Sequence, residues 1–92
     1  MKFMTTWAFP VGVVPEAAER FLAGGGAPAE GTTLLGRWHS ADFSGGFALY
    51  ETNDPVALYK GAADWADLLE FNTVAVIEDA DAASVLAKRF KK

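Results

Sequence analysis

Thr33-Leu34-Leu35-Gly36-Arg37-Trp38-His39-Ser40, then Ala41-Asp42-Phe43-Ser44-Gly45, then Gly46-Phe47-Ala48-Leu49-Tyr50-Glu51 is the stretch whose reading decides the fold. Two runs rich in apolar and aromatic residues flank a cluster of Asp, Ser and Gly, the pattern of a β-hairpin. With Ala41 to Gly45 as the loop, Ser40 pairs with Gly46. Leu35, Arg37, His39, Phe47, Leu49 and Glu51 then share one face, and Leu34, Gly36, Trp38, Ser40, Ala48 and Tyr50 the other. A slip of one residue would reverse these groupings on one strand.

Outward from the hairpin, Lys2 to Phe9 alternates Phe3, Thr5, Trp7 and Phe9 against Lys2, Met4, Thr6 and Ala8, which predicts a first strand that Pro10 ends. Pro15 suits a first helical turn, Glu16 and Glu19 suit the positive end of a helix dipole, and Ala17, Ala18, Phe21 and Leu22 make an apolar stripe. Gly24-Gly25-Gly26 stops that helix. Because the glycines follow the helix instead of preceding it, they read as a C-cap and turn, not as a phosphate loop. After the hairpin, Asp54 is an N-cap candidate with Pro55 at the first helical position. Leu58, Ala62, Trp65 and Leu69 recur at helical spacing, with Lys60, Asp64 and Asp67 facing away and Gly61 a weak point. Phe71 to Glu78 returns to β-branched residues. A last helix starts near Asp79 to Asp81, residues that read as helix capping rather than a calcium loop, and ends in Lys88, Arg89, Lys91 and Lys92, so both ends match the macrodipole.

The order β-α-β-β-α-β plus a helix predicts an α+β, ferredoxin-like fold: a four-stranded antiparallel sheet with both main helices on one face. The first and last strands are apolar on both sides, so the bare sheet face needs a cover. A second copy of the chain is the economical one, which predicts a homodimer. Length and composition agree with one domain over residues 1–92: 51% of residues are hydrophobic and mean hydropathy is +0.12, much apolar surface for so short a chain to hide.

Composition also excludes chemistries. There is no cysteine, hence no disulfide, thiolate metal site or cysteine nucleophile. The net charge is −4, and the four basic residues at the C-terminus leave −8 on residues 1–87, a poor electrostatic match for nucleic acid. The N-terminus has neither a signal peptide's hydrophobic region nor a membrane span, so a soluble, cytoplasmic protein is expected.

Met1 to Met4 opening a strand, Pro28-Ala29-Glu30-Gly31, Trp38, Phe47 to Glu51 followed by Thr52-Asn53-Asp54-Pro55, and Trp65-Ala66-Asp67-Leu68-Leu69-Glu70-Phe71 together resemble a bacterial family of small domains of unknown function assigned to the dimeric α+β barrel superfamily. The resemblance covers nearly the whole chain, and its motifs are structural punctuation and apolar positions. It implies two sheets packed face to face in a dimer and a cavity between sheet and helices. Relatives include cofactor-independent monooxygenases, lactone isomerases, small decarboxylases, haem-degrading enzymes and ligand-sensing modules. The axial histidine of the haem-degrading relatives sits on a helix, whereas the only histidine here, His39, falls on a strand.

The candidate chemistry lies mostly on the sheet. Imidazole exchanges protons near neutral pH, so His39 is the candidate acid/base, and a single histidine is not a metal site. Arg37 offers a planar fork for a carboxylate, with a sheet-surface ion pair to Glu51 as the structural reading. Trp7, Trp38, Tyr50 and Trp65 are aromatics with one polar edge, suited to the walls of a pocket for a flat ligand and equally to a core or dimer interface. Asn72 is a further candidate donor. Two functions follow: a homodimer binding an apolar small molecule as a monooxygenase- or isomerase-like enzyme without metal or organic cofactor, or a non-catalytic ligand-binding or accessory dimerisation module. Only one sheet face can line the cavity, so Arg37 and His39 on one side and Trp38 on the other cannot all serve it.

Overall fold

In the computed structural model, which describes residues 1–90, strands β1 (Lys2–Ala8), β2 (Thr33–His39), β3 (Gly45–Glu51) and β4 (Glu70–Val76) form one sheet in the order β2-β3-β1-β4. Helix α1 (Val14–Arg20) runs into a wide π-type turn, Phe21–Gly25. Helix α2 (Pro55–Trp65) crosses from β3 to β4, and α3 (Asp79–Phe90) follows β4. All strand pairs are antiparallel. This is the ferredoxin-like βαββαβ arrangement with an added helix.

The expected punctuation is in place. Pro15 sits in the first turn of α1, and Gly24, at φ 98°, supplies the left-handed residue that turns the chain after the helix. The Asp54 carboxylate accepts a hydrogen bond from the Val56 amide at 3.0 Å and caps α2. Thr52 fixes the approach to that cap, its buried hydroxyl donating to the Gly31 carbonyl at 2.7 Å and accepting from the Asp54 amide at 3.0 Å. Gly61 lies inside α2, where a Cβ would meet only the Ala29 Cβ at 3.5 Å, an ordinary contact. Gly61→Ala is therefore expected to stabilise the fold by about 0.5–1 kcal/mol, read as a higher urea midpoint at unchanged m-value.

The hairpin register differs by one residue from the sequence expectation. The loop is Ala41 to Ser44, closed by the Ser40 amide donating to the Gly45 carbonyl at 2.9 Å, and His39 pairs with Gly46, Trp38 with Phe47 and Arg37 with Ala48. Asp42 stabilises this shorter loop by accepting from the Ser44 amide and hydroxyl, and Phe43 takes a left-handed conformation at φ 71°. Both glycines thus belong to β3. The faces of β3 exchange: Arg37 and His39 share theirs with Ala48 and Tyr50, while Trp38 shares the other with Phe47 and Leu49. Glu51 falls on the side opposite Arg37, which removes the expected Arg37–Glu51 pair. A register irregularity between Leu34 and Gly36 resets the hairpin toward its open end.

The core is unusually light. Its buried apolar residues are Ala17, Ala48, Ala57 and Leu68, and among the described residues no large side chain is fully enclosed. Among the described residues no helix is long and apolar enough to cross a membrane.

Candidate functional site

Between the sheet and the layer of α1, the π-type turn and α2 lies a cavity of about 430 Å³. Strand alternation decides which side chains reach it. β1 contributes Thr5 and Trp7, β2 contributes Arg37 and His39, β3 contributes Tyr50, and β4 contributes Phe71 and Thr73. Thr5 is buried, and its hydroxyl shares a 2.8 Å hydrogen bond with that of Thr73 across β1 and β4, which makes the floor polar but satisfied. The α2 stripe legible in the sequence, Leu58, Ala62, Trp65 and the following Leu69, forms the roof.

Two aromatic rings and one imidazole define the wall nearest the hairpin. His39 is edge-on to Trp7 at 5.5 Å between centroids and edge-on to Phe21 at 5.6 Å. Arg37 donates to the Gly26 carbonyl at 2.6 Å, and its guanidinium lies 5.6 Å over the Phe21 ring. On the other side Trp65 donates through Nε1 to the Gly25 carbonyl at 3.1 Å. Two site side chains therefore hold the carbonyls of the glycine turn that covers the cavity.

Arg20 braces this arrangement from outside. Its guanidinium stacks 5.2 Å over Trp65 and grips the Asp67 carboxylate in a fork at 2.9 and 2.8 Å, with a further bond to the Asp64 carbonyl at 3.0 Å. The bonds from Arg20 hold the Asp67 carboxyl below its ordinary value. A depressed carboxyl stabilises the fold fully above the ordinary aspartate range near about 4 and loses that contribution as pH falls through the lowered value. Asp67→Asn is thus expected to lower the urea midpoint at pH 7 and to leave it nearly unchanged near pH 2, narrowing the gap between the two pH values relative to the natural chain. An unchanged gap would show that the brace carries no stability.

The structure brings together five of the seven residues singled out in the sequence: Trp7, Arg37, His39, Tyr50 and Trp65 all line the cavity. Trp38 and Asn72 do not. Trp38 is 56% exposed on the opposite sheet face, and Asn72 borders a shallow depression there with Thr6, Phe47 and Glu70. Alternation along β2 and β4 sends both away from the helices, so neither is a wall of this cavity. Phe21, Thr5 and Thr73 were not among the sequence candidates. Phe21 was recognisable only as part of the α1 stripe, and the threonine pair has no local signal.

Among the described residues the ion pairs are Lys2–Glu78 and Arg20–Asp67, so Arg37 lines the cavity with no carboxylate partner. Gly26 takes one of its five N–H donors, and among the described residues the guanidinium makes no other hydrogen bond. Among the described residues no cluster of three His, Asp or Glu side chains forms.

No curated protein sequence matches the chain. Among solved structures it is similar to Rv0793 from Mycobacterium tuberculosis, with 14% identity, a TM-score of 0.52, and coverage of 86% of this chain and 97% of that one. It is also similar to a MhuD variant with two manganese protoporphyrin IX bound per active site, at 18% identity and a TM-score of 0.41, covering 85% and 95%. The fold is that of the dimeric α+β barrel structures, as the sequence resemblance implied. With a family model matching residues 1–90, nearly its whole length, the chain belongs to the family described as domain of unknown function DUF3303.

Proposed function

We propose that this protein is a homodimer that takes a flat, largely apolar small molecule with one anionic or carbonyl edge into the cavity of each subunit. The observation that carries the reading is an unpaired guanidinium in an aromatic-walled space. Among the described residues Arg37 has no carboxylate partner, Phe21, Trp7, Tyr50 and Trp65 line the space, and a volume near 430 Å³ suits a molecule of two or three fused rings. Arg37 anchors the polar edge, and His39 at the hairpin end is the acid/base of a monooxygenase- or isomerase-like reaction needing neither metal nor organic cofactor. Homodimer formation is supported by the outer sheet face, where Trp38, Phe47 and Val74 are each about half exposed.

A second reading, a binding module without catalysis, is favoured by the surroundings of His39. Its ring neighbours are Trp7 and Phe21, and among the described residues no carboxylate pairs with it to orient its proton. Native mass spectrometry of freshly purified protein tests binding and stoichiometry together, with a dimer carrying a retained small molecule expected. Tryptophan-fluorescence titration with 1-naphthoate and 1-naphthalenemethanol tests the anchor. Arg37→Leu should weaken the carboxylate by about 10–100-fold and the alcohol by less than about threefold. A monomer at micromolar concentration that binds neither probe would overturn the proposal. Once a turnover assay exists, His39→Ala separates the two readings: binding kept and turnover lost is expected for the enzyme.

A further inference from the structure

The projecting helix α3 is the largest feature that the cavity does not explain. Eleven of its twelve residues are exposed and only Ala82 is half-buried. Its apolar residues nevertheless fall on one stripe, Ala82, Val85, Leu86 and Phe90, with Val85 60%, Leu86 54% and Phe90 73% exposed. A twelve-residue helix is marginal in water without packing, so a bare amphipathic one has a partner to find.

Three observations identify that partner as a second copy of the chain. The first is area. A sheet face four strands wide and seven residues long offers a footprint of about 450 Å², short of the roughly 800 Å² per partner that a stable interface buries; an exchanged α3 adds about 180 Å² where each subunit gives its helix face and about as much again where it receives its partner's, which makes up the difference. The second is continuity. β4 places Val74 in the apolar outer face beside Met4 and passes through the exposed Ile77 directly into α3. The third is charge. Arg89 lies within the apolar stripe and Lys88 beside it, at the basic end of an arm that follows residues 1–78, which carry four basic and ten acidic side chains, a net −6. The arm of one subunit thus suits the acidic body of another. The molecule is 55 Å long and 18 Å thick, so an arm about 18 Å long adds reach, not depth.

We propose that α3 is an exchanged arm that lays its Val85, Leu86 and Phe90 stripe on the second subunit while the outer sheet faces meet, an inference that rests on the homodimer of the proposed function. The test mixes isotopically labelled and unlabelled full-length protein and records NOEs that can arise only between subunits, alongside light scattering. A dimer with intersubunit NOEs from the Val85 and Leu86 methyls is expected. In a second measurement, Leu86→Glu should raise the dimer dissociation constant by about 10–100-fold in sedimentation equilibrium while the cavity still binds 1-naphthoate. A dimer whose α3 methyls give no intersubunit NOE and whose dissociation constant ignores Leu86→Glu overturns the arm and leaves the dimer standing. A monomeric natural chain overturns both.

Discussion

A Gly46→Ala protein is expected to unfold about 1–3 kcal/mol more easily than the natural chain and to lose most of its affinity for aromatic ligands. Gly46 is buried in β3, paired with Trp7 on β1 and with His39 on β2. A Cβ at this position would overlap the Trp7 ring and stand 2.5 Å from the Trp38 carbonyl oxygen. The carbonyl belongs to the β2 backbone and cannot retreat without breaking the sheet, so the indole must move, and overpacking of this kind costs about 1–3 kcal/mol. Trp7 is also the ring against which His39 packs, so the same displacement deforms the cavity wall. Gly36→Ala is the control. A Cβ there would overlap the Trp38 ring instead, but that ring lies half exposed on the outer face and can swing away. Urea denaturation and naphthoate titration of both variants should show stability and binding lost together at Gly46 and binding retained at Gly36. A Gly46→Ala protein with natural stability and affinity would refute the register.

The same two glycines explain why the hairpin was only partly legible. Element order, the Asp54-Pro55 helix start, the α2 stripe and the glycine stop after α1 are local signals, and each is found where its residues predict it. Register is different. Gly45-Gly46 carries the local signature of a turn, yet both glycines lie in β3, where they make room for a ring and a backbone carried by β1 and β2, some forty residues and some eight residues away. The actual turn uses Phe43 in a left-handed conformation, which a bulky residue adopts only when its surroundings hold it there. A shift of one position then exchanged the faces of β3, brought Tyr50 to Arg37 and His39, and took Glu51 away.

Within the site, residue type was readable and direction was not. Trp38 has the same chemistry as Trp7 and Trp65, which do line the cavity, and the pleat alone sends it, like Asn72, to the outer face. The ties from Arg37 and Trp65 to the carbonyls of Gly26 and Gly25 were invisible in a different way, because backbone acceptors carry no sequence signature. Those ties give the glycine turn a second role, covering the cavity as well as ending a helix.

Occupying the cavity is expected to raise the melting temperature by about 10–20 °C when 1-naphthoate is present at a hundred times its dissociation constant. The linkage gives about 2.7 kcal/mol at that ratio, and a chain of this size shifts by about 4–8 °C per kcal/mol. The structural counterpart is a core made of alanines and one leucine, Ala17, Ala48, Ala57 and Leu68, with the cavity taking the place that larger side chains fill in other small domains. A side chain should be able to do part of the ligand's work. Ala62 is half-buried in the α2 roof and lines the space, so Ala62→Leu adds apolar volume where there is room for it. The variant is expected to melt several degrees higher than the natural chain without ligand and to show little further shift with it, stability gained at the expense of binding. Calorimetry of both proteins with and without naphthoate decides the matter. An Ala62→Leu protein that gains no stability while still responding fully to the ligand would mean that the aromatic body binds elsewhere, and that the light core is not the binding site.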